Sequence, residues 1–337
     1  MAKLKYYVLC SSNMITTKRH LNVIPKEDIV YVFNSHWKCE NNGERNAQYL
    51  KDAEAWCKAE GVEYYITMSD GTPATGKNSV FNLFQRSDND YMVLVDGDDL
   101  ITPHGLWVYN QIAQSESPPD AVALEYQLGI HADPIFKPIH ITTENPDHII
   151  PAVYRTFLQE KGWWDSMLSG NPCPIEESDP EFSQRLNDAM ARVYSFAYKY
   201  IDNWEPHLRL VFYSKKATTE EFRMNPELLV GEDTMQYLNL KYAWSQGRLD
   251  IKHFYDLYPT YVYDQRLGGI VDYANHRDND WGWINWLETL ADAYESLEAD
   301  NKAVTDKPTY VDIPDFPENY KPDTLGLTLY PLKPPVY

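Results

Sequence analysis

Three carboxylates fall within four residues at Asp96-Gly97-Asp98-Asp99, directly after the apolar run Tyr91-Met92-Val93-Leu94-Val95. Like charges held this close at the exposed end of a strand repel one another unless a cation binds, and hard divalent ions favour such oxygen ligands. A cation there would in turn neutralise a diphosphate as its bond to a sugar breaks. The plainer alternative is a solvated acidic turn in which Gly97 serves the backbone. A second acidic pair, Glu232-Asp233, stands before Thr234-Met235-Gln236-Tyr237-Leu238. That position suits helix capping and the helix dipole, and equally suits a carboxylate that takes a proton.

The elements that must position these groups read as alternating strands and helices. Residues 6–9 and 28–33 are short runs rich in β-branched and aromatic residues, expected as buried parallel strands, and a third and a fourth strand are expected at 62–67 and 91–95. Between Glu44 and Glu60 apolar positions recur at near-helical spacing until Gly61. Ser69-Asp70-Gly71-Thr72-Pro73 reads as a turn, and residues 78–85 as a short helix. This alternation implies βαβ units and a mostly parallel sheet, whose ligands bind beyond the carboxyl ends of the strands. Ser11, Asn34, Asp70 and Asp96 each follow a strand and are expected on one rim.

Further along, residues 115–205 are loosely patterned, with a helix expected over 181–201. A strand at 208–213, a helix at 233–244, a strand at 260–263 and a helix from Trp281 to about Ala299 follow. After Lys307 prolines accumulate, which suits an extended tail lying on the body. No internal repeat is visible.

The segment Gly76-Lys77-Asn78, a short helix, then Asn89-Asp90-Tyr91 through Asp96-Gly97-Asp98-Asp99 resembles the G-x-x-x-N…G-D-Y-I-x-x-L-D-x-D-D stretch of family 2 glycosyltransferases, with a different spacing at the glycine. Phe222 through Gly231-Glu232-Asp233-Thr234 is similar to that family's F-x-E-x-L-x-x-x-E-D-x-x-F stretch, and 135 residues separate Asp98 from Asp233. The resemblance covers roughly residues 5–270. It implies an α/β fold of the GT-A type: a Rossmann-like, mostly parallel mixed sheet flanked by helices, here followed by a C-terminal helical segment and an extended tail. The implied divisions are 1–115 for the nucleotide-sugar half, 116–275 for the acceptor half, and 276–337 for the helix and tail.

The implied activity is inverting transfer of a sugar from a nucleotide-diphosphate donor to a saccharide or other hydroxyl acceptor. Asp98 would ligate Mn²⁺ or Mg²⁺, Asp96 would bind the donor ribose or a metal-bound water, and Asp233 would be the general base, with Glu232 on the acceptor or orienting Asp233. Lys77 and Asn78 come from the first motif and belong with the donor. Asn34 falls where an acid commonly meets the nucleobase. In Tyr263-Asp264-Gln265-Arg266, similar to the family's Y-R-Q-H element, Arg266 replaces a histidine near the diphosphate, and His276 is a second candidate to approach the metal. Trp281, Trp283 and Trp286, and Trp163-Trp164, read either as sugar-stacking platforms or as core.

Composition narrows the field. The net charge of −20 speaks against tight binding to phosphate backbones or anionic lipid. The basic pairs Lys3 with Lys5, Lys18 with Arg19 and Lys215 with Lys216 read as solvated surface. The four cysteines contain no C-x-x-C pair, so no structural zinc site is indicated. No stretch approaches the roughly 20 apolar residues of a membrane span, and the expected location is the cytoplasm, of a bacterium or a virus-infected cell. Two other enzymes remain open: transfer to a hydroxylated base of DNA, as in some viral glycosyltransferases, and nucleotidyl transfer. The latter usually has a glycine-rich basic loop that Leu9-Cys10-Ser11-Ser12-Asn13 lacks. A non-catalytic carbohydrate- or calcium-binding protein would use the acidic turn alone.

Overall fold

The computed structural model describes residues 2–10, 14–36, 43–124, 126–130, 136–140, 180–200, 209–228, 231–256, 260–264 and 280–314. Strands β1 (Leu4–Cys10), β2 (Ile29–His36), β3 (Glu63–Ser69) and β4 (Tyr91–Asp96) run parallel, with β1 between β2 and β4 and β3 outside β2. A strand covered on both faces can be apolar throughout. In β1, Tyr6, Val8 and Cys10 enter one core and Tyr7 the opposite one. Tyr31 and Phe33 of β2 join the first core, with Tyr49, Ala53 and Cys57 of α2 (Gly43–Glu60). Val30 and Val32 join the second, with Val80, Phe81 and Phe84 of α3 (Pro73–Arg86). The short α1 (Met14–Arg19) follows β1.

Helix α3 begins five residues earlier than its apolar positions suggest. Thr72 is its N-cap, accepting from the Thr75 N–H, and Pro73 opens the first turn, where its missing N–H has no cost. What reads as a turn over 69–73 is therefore partly helix start.

Beyond β4 the chain adds β5 (Leu100–Ile101), α4 (Pro103–Gln114) and β6 (Ala121–Leu124). β7 (Tyr126–Ile130), β8 (Phe136–His140) and α5 (Pro180–Tyr200) follow. β9 (Arg209–Ser214), α6 (Glu232–Ser245), β10 (Ile251–Phe254), β11 (Tyr261–Asp264) and α7 (Asp280–Ala299) complete the described elements. The main sheet is ordered β10-β6-β9-β4-β1-β2-β3, and a smaller one β5-β11-β7-β8. In the main sheet β9 alone is antiparallel to its neighbours β4 and β6, so the fold is α/β with a mostly parallel mixed sheet flanked by helices. Strands from both sides of residue 115 share it. α4, β5–β8 and β10 have no counterpart in the sequence reading; runs as short as Ala121-Val122-Ala123-Leu124 carry too little period to register, whereas the start of α4 is signalled by its Thr102 cap and Pro103.

Helices α5 and α7 pack side by side, Phe196 stacking on Tyr294 at 4.5 Å and Arg185 pairing with Glu288 at 2.6 Å. Near the C-terminus, the His253 N–H donates to Thr309 O at 2.9 Å and the Val311 N–H to His253 O at 2.8 Å. These bonds pair the start of the proline-rich segment with β10, as expected of a tail lying on the body; residues 315–337 lie outside the described residues. Among the described residues no helix is long and apolar enough to cross a membrane.

Candidate active site

The acidic motif is a tight turn held from below. The Gly97 N–H donates to Leu9 O at 2.7 Å and the Asp99 N–H to Asp96 O at 2.9 Å. His20 Nε2 lies 3.1 Å from Gly97 O, and the Arg19 guanidinium donates to Asp98 O. Arg19 is buried, so half of the basic pair expected as solvated surface is part of the turn's foundation. Burial, then the Arg19 charge, lowers the His20 pKa to about 3, so the ring is a neutral strut.

The three carboxylates face different surroundings. Asp99 is fully buried and accepts from the Tyr261 hydroxyl at 2.8 Å, with Arg209 Nη2 at 2.9 Å. Asp96 pairs with the same Arg209 and lies 3.9 Å from Lys77 Nζ. Burial alone would raise the Asp96 pKa, but Lys77 and Arg209 outweigh it and hold it below the usual value. Asp98 is half-buried, and among the described residues no ion pair involves its carboxylate, although the more distant charges of Arg209 and Arg19 act on it. Burial, then the charge of Asp96, pushes it up to about 6. Much of the compensation that the sequence reading asked of a bound cation is thus internal.

Arg209 reaches Asp96 because of strand direction. β9 pairs antiparallel with β4 in the register Tyr91↔Ser214, Met92↔Tyr213, Val93↔Phe212. Continued one for one, this sets Arg209 abreast of Asp96. Its guanidinium lies over the Tyr261 ring, 4.4 Å from the centroid, a contact that suits its planar, weakly hydrated cation.

The Glu232-Asp233 pair meets this turn. Lys77, on α3, donates to Glu232 Oε1 at 3.0 Å and both side chains are buried. Burial works to lower the Lys77 pKa, but Asp96, Glu232 and Asp233 outweigh it and keep the ammonium charged. Burial raises Glu232, with Lys77 opposing. Asp233 is half-buried and shares a cleft with Lys77, Leu94, Asp96, Arg209, Leu210 and Met224. The N-cap of α6 is Gly231, at φ 74°, with no side-chain cap, so Asp233 is not the capping residue. One of its oxygens accepts the Thr234 N–H at 2.8 Å. A Cβ on Gly231 would come within 2.9 Å of Leu290 Cδ1, so α7 packs directly behind this helix start.

Other expected site residues are committed to internal bonds. Asn78 exchanges two bonds with the Met224 backbone, Nδ2 to O at 2.8 Å and N–H to Oδ1 at 2.9 Å, clasping α3 to the segment before α6. Asn34, buried, accepts from Thr67 at 2.7 Å and from Ser79 at 3.2 Å. Asp70 accepts from the Thr72 N–H at 3.0 Å and the Thr72 hydroxyl at 2.6 Å, stiffening the entry to α3. Ser11, Arg266, His276 and Trp163-Trp164 lie outside the described residues, as do the side chains of Trp281, Trp283 and Trp286. The sequence reading missed Arg209, Tyr261 and Arg19. The available signal for Arg209 was a lone arginine heading the apolar run Leu210-Val211-Phe212-Tyr213.

No family model matches this sequence, and no curated protein matches it. Among the solved structures similar to it is S. aureus TarS 1-349 in complex with UDP-GlcNAc, at 13% identity and a TM-score of 0.47, covering 86% of this chain. This chain spans 66% of that one, just under two thirds. An inositol-1-phosphate CTP transferase from T. maritima is similar over 39% of this chain and 55% of its own, at 15% identity and a TM-score of 0.22. A putative glucose-1-phosphate thymidylyltransferase from Bacillus anthracis in complex with a sucrose follows at 11% identity and 0.32, covering 86% of this chain and 95% of its own.

Proposed function

We propose that this chain is a GT-A-type glycosyltransferase that moves a sugar, with inversion, from a nucleotide-diphosphate donor to a hydroxyl acceptor. One observation carries the reading: Asp96 and Asp233, which stand in two motifs far apart in sequence, line one cleft together with the cations Lys77 and Arg209. The donor binds at the carboxyl ends of β1–β4, the rim on which α/β sheets hold ligands, and the acceptor approaches from the side of α6. In the division proposed, 1–115 serves the donor, 116–275 the acceptor, and 276–337 is a C-terminal helix and proline-rich tail.

Inversion needs a direct displacement. The acceptor oxygen bonds to the anomeric carbon as its proton passes to a carboxylate, and the bond from that carbon to the diphosphate oxygen breaks. Asp233 is the base. Glu232 is the poorer candidate because it already accepts from Lys77. Lys77 and Arg209 face the charge that develops on the departing diphosphate.

The donor set suits a divalent ion. Asp96, Asp98, Asp99, Glu232 and Asp233 outnumber Lys77 and Arg209 where an anionic donor must bind, and Asp98 is in no ion pair among the described residues. Among the described residues no three His, Cys, Asp or Glu side chains cluster to hold an ion by themselves; Mg²⁺ and Mn²⁺ bound with a nucleotide use one or two carboxylates and complete their shell with substrate phosphates and water. Asp98, with Asp96 beside it, would hold the ion, which when bound supplies Lewis-acid neutralisation of the diphosphate.

The test is a thermal-shift panel of nucleoside diphosphates with and without Mn²⁺, since a ligand of the native state raises apparent stability. A rise in melting temperature with at least one nucleotide, larger when Mn²⁺ is present, is expected. No shift with any nucleotide under either condition would overturn the reading.

A further inference from the structure

One of the two carboxylate oxygens of Asp96 is already committed to protein cations. Asp96 Oδ2 is the atom that pairs with Arg209, and it is also the oxygen 3.9 Å from Lys77. Arg209 has a second anchor in fully buried Asp99, at 2.9 Å, and a platform in Tyr261. Those anchors leave the guanidinium in place whether or not Asp96 holds it. A guanidinium carries five donors in a rigid fork, so it can keep Asp99 while presenting other N–H groups elsewhere. The side chain also lines the cleft shared with Lys77 and Asp233.

We propose that Arg209 is a built-in counter-ion that competes with the divalent cation for Asp96 and, when displaced, offers its charge to the donor diphosphate. This rests on the reading of the cleft as a donor site. Two consequences follow from electrostatics alone. Without nucleotide, a metal ion must draw Asp96 away from Arg209, which keeps Asp99 but meets no diphosphate to take up the freed N–H groups, so the ion binds weakly. With nucleotide present, the freed N–H groups find the diphosphate oxygens, so ion and nucleotide each strengthen the other by the same factor, as linkage requires. A cleft that loads its metal only with its nucleotide avoids holding a bare ion in the resting protein.

The experiment is calorimetric titration of the full chain with Mn²⁺ alone, with nucleoside diphosphates alone, and with each in the presence of the other, for the native protein, Arg209→Gln and Arg209→Lys. In the native protein nucleotide should tighten Mn²⁺ by about tenfold or more, the range of ordinary coupling between sites. Arg209→Gln should bind Mn²⁺ alone about tenfold tighter, bind nucleotide with Mn²⁺ more weakly, and reduce the coupling to within about twofold. Arg209→Lys keeps the charge but not the fork, so it should stay near native for Mn²⁺ alone and lose nucleotide affinity. Arg209→Gln strands the Asp99 charge; if that variant does not fold, Arg209→Gln with Asp99→Asn removes both charges, and the same tightening of Mn²⁺ is expected. Mn²⁺ affinity unchanged or weakened in the folded variant would overturn the competition. Failure of the native protein to bind any nucleoside diphosphate, with or without Mn²⁺, would instead overturn the functional reading beneath it.

Discussion

Replacing Asp98 by Asn separates the two things the acidic turn does. Asp96 and Asp99 share Arg209, and Asp96 also faces Lys77, whereas the Asp98 carboxyl is pushed up to about 6 by burial and by the charge of Asp96. A group with a raised folded-state pKa binds an extra proton in the native state between about pH 4 and pH 6. Native stability therefore falls as pH rises through that window, and the full penalty is present above it. About two pK units at 1.36 kcal/mol each give about 3 kcal/mol. The carboxylate is half-buried and keeps part of its hydration, so about 1–3 kcal/mol is the working range. Asn has nearly the same shape and no charge, and Arg19 bonds the main-chain oxygen of residue 98, which the substitution leaves in place. The variant should be more stable than the native protein at pH 7.5, by an amount that shrinks towards zero at pH 4.5, as read from denaturant midpoints. Mn²⁺ with nucleotide should raise the native midpoint and leave the variant's almost unmoved. A variant less stable at both pH values would refute the charge argument, and an equal metal response in both proteins would remove Asp98 from the metal site.

Asp233→Asn should bind donor normally and lose about two to four orders of magnitude in turnover, with little change in melting temperature, because Asn Oδ1 can still accept the Thr234 N–H; full turnover would move the search to Glu232. Lys77→Met should cost about 3–5 kcal/mol by leaving Glu232 buried and unpaired, and Lys77→Met with Glu232→Gln should recover most of it in a denaturation curve; no recovery would mean that Lys77 stabilises by packing. Gly231→Ala adds about 1–2 kcal/mol for a left-handed backbone to the contact with Leu290 Cδ1, so made in a Leu290→Ala background, and measured against that single variant, it should cost only the backbone share. If Gly231→Ala alone is as stable as the native protein, α7 does not brace the start of α6 as described.

The parallel strands β1, β2 and β4 were legible because strands covered on both faces are apolar along most of their length, as residues 6–9, 29–33 and 91–95 are; β3, at the sheet edge with Tyr65, Ile66 and Met68 exposed, was legible only from its β-branched and aromatic residues. The rim followed from topology, since Asn34, Asp70 and Asp96 lie at or near the ends of parallel strands. What those polar residues bond to was not legible. Asn34 and Asp70 turn to hydroxyls of their own neighbourhood, Thr67 and Ser79 for one and Thr72 for the other. Hydroxyl-bearing residues within a few positions of a strand end compete locally for any carboxylate or amide there, and a sequence offers no way to weigh that competition against a ligand.

The larger omission concerns charge. From the sequence, three acids in one turn call for an external cation, because no basic residue lies nearby in the chain. In the structure the answering arginine is 113 positions away. What brings it back is a single reversal: β9 enters the sheet antiparallel to β4, so its first residue, not its last, arrives at the rim where β4 ends. Had β9 run parallel, Ser214 would stand at that rim and Arg209 at the far side of the sheet. The direction of one strand thus decides whether Asp96 meets solvent and metal alone or a competitor already in place. An arginine at the head of an apolar strand is therefore informative once a mixed sheet is suspected, and Arg209 is such a residue.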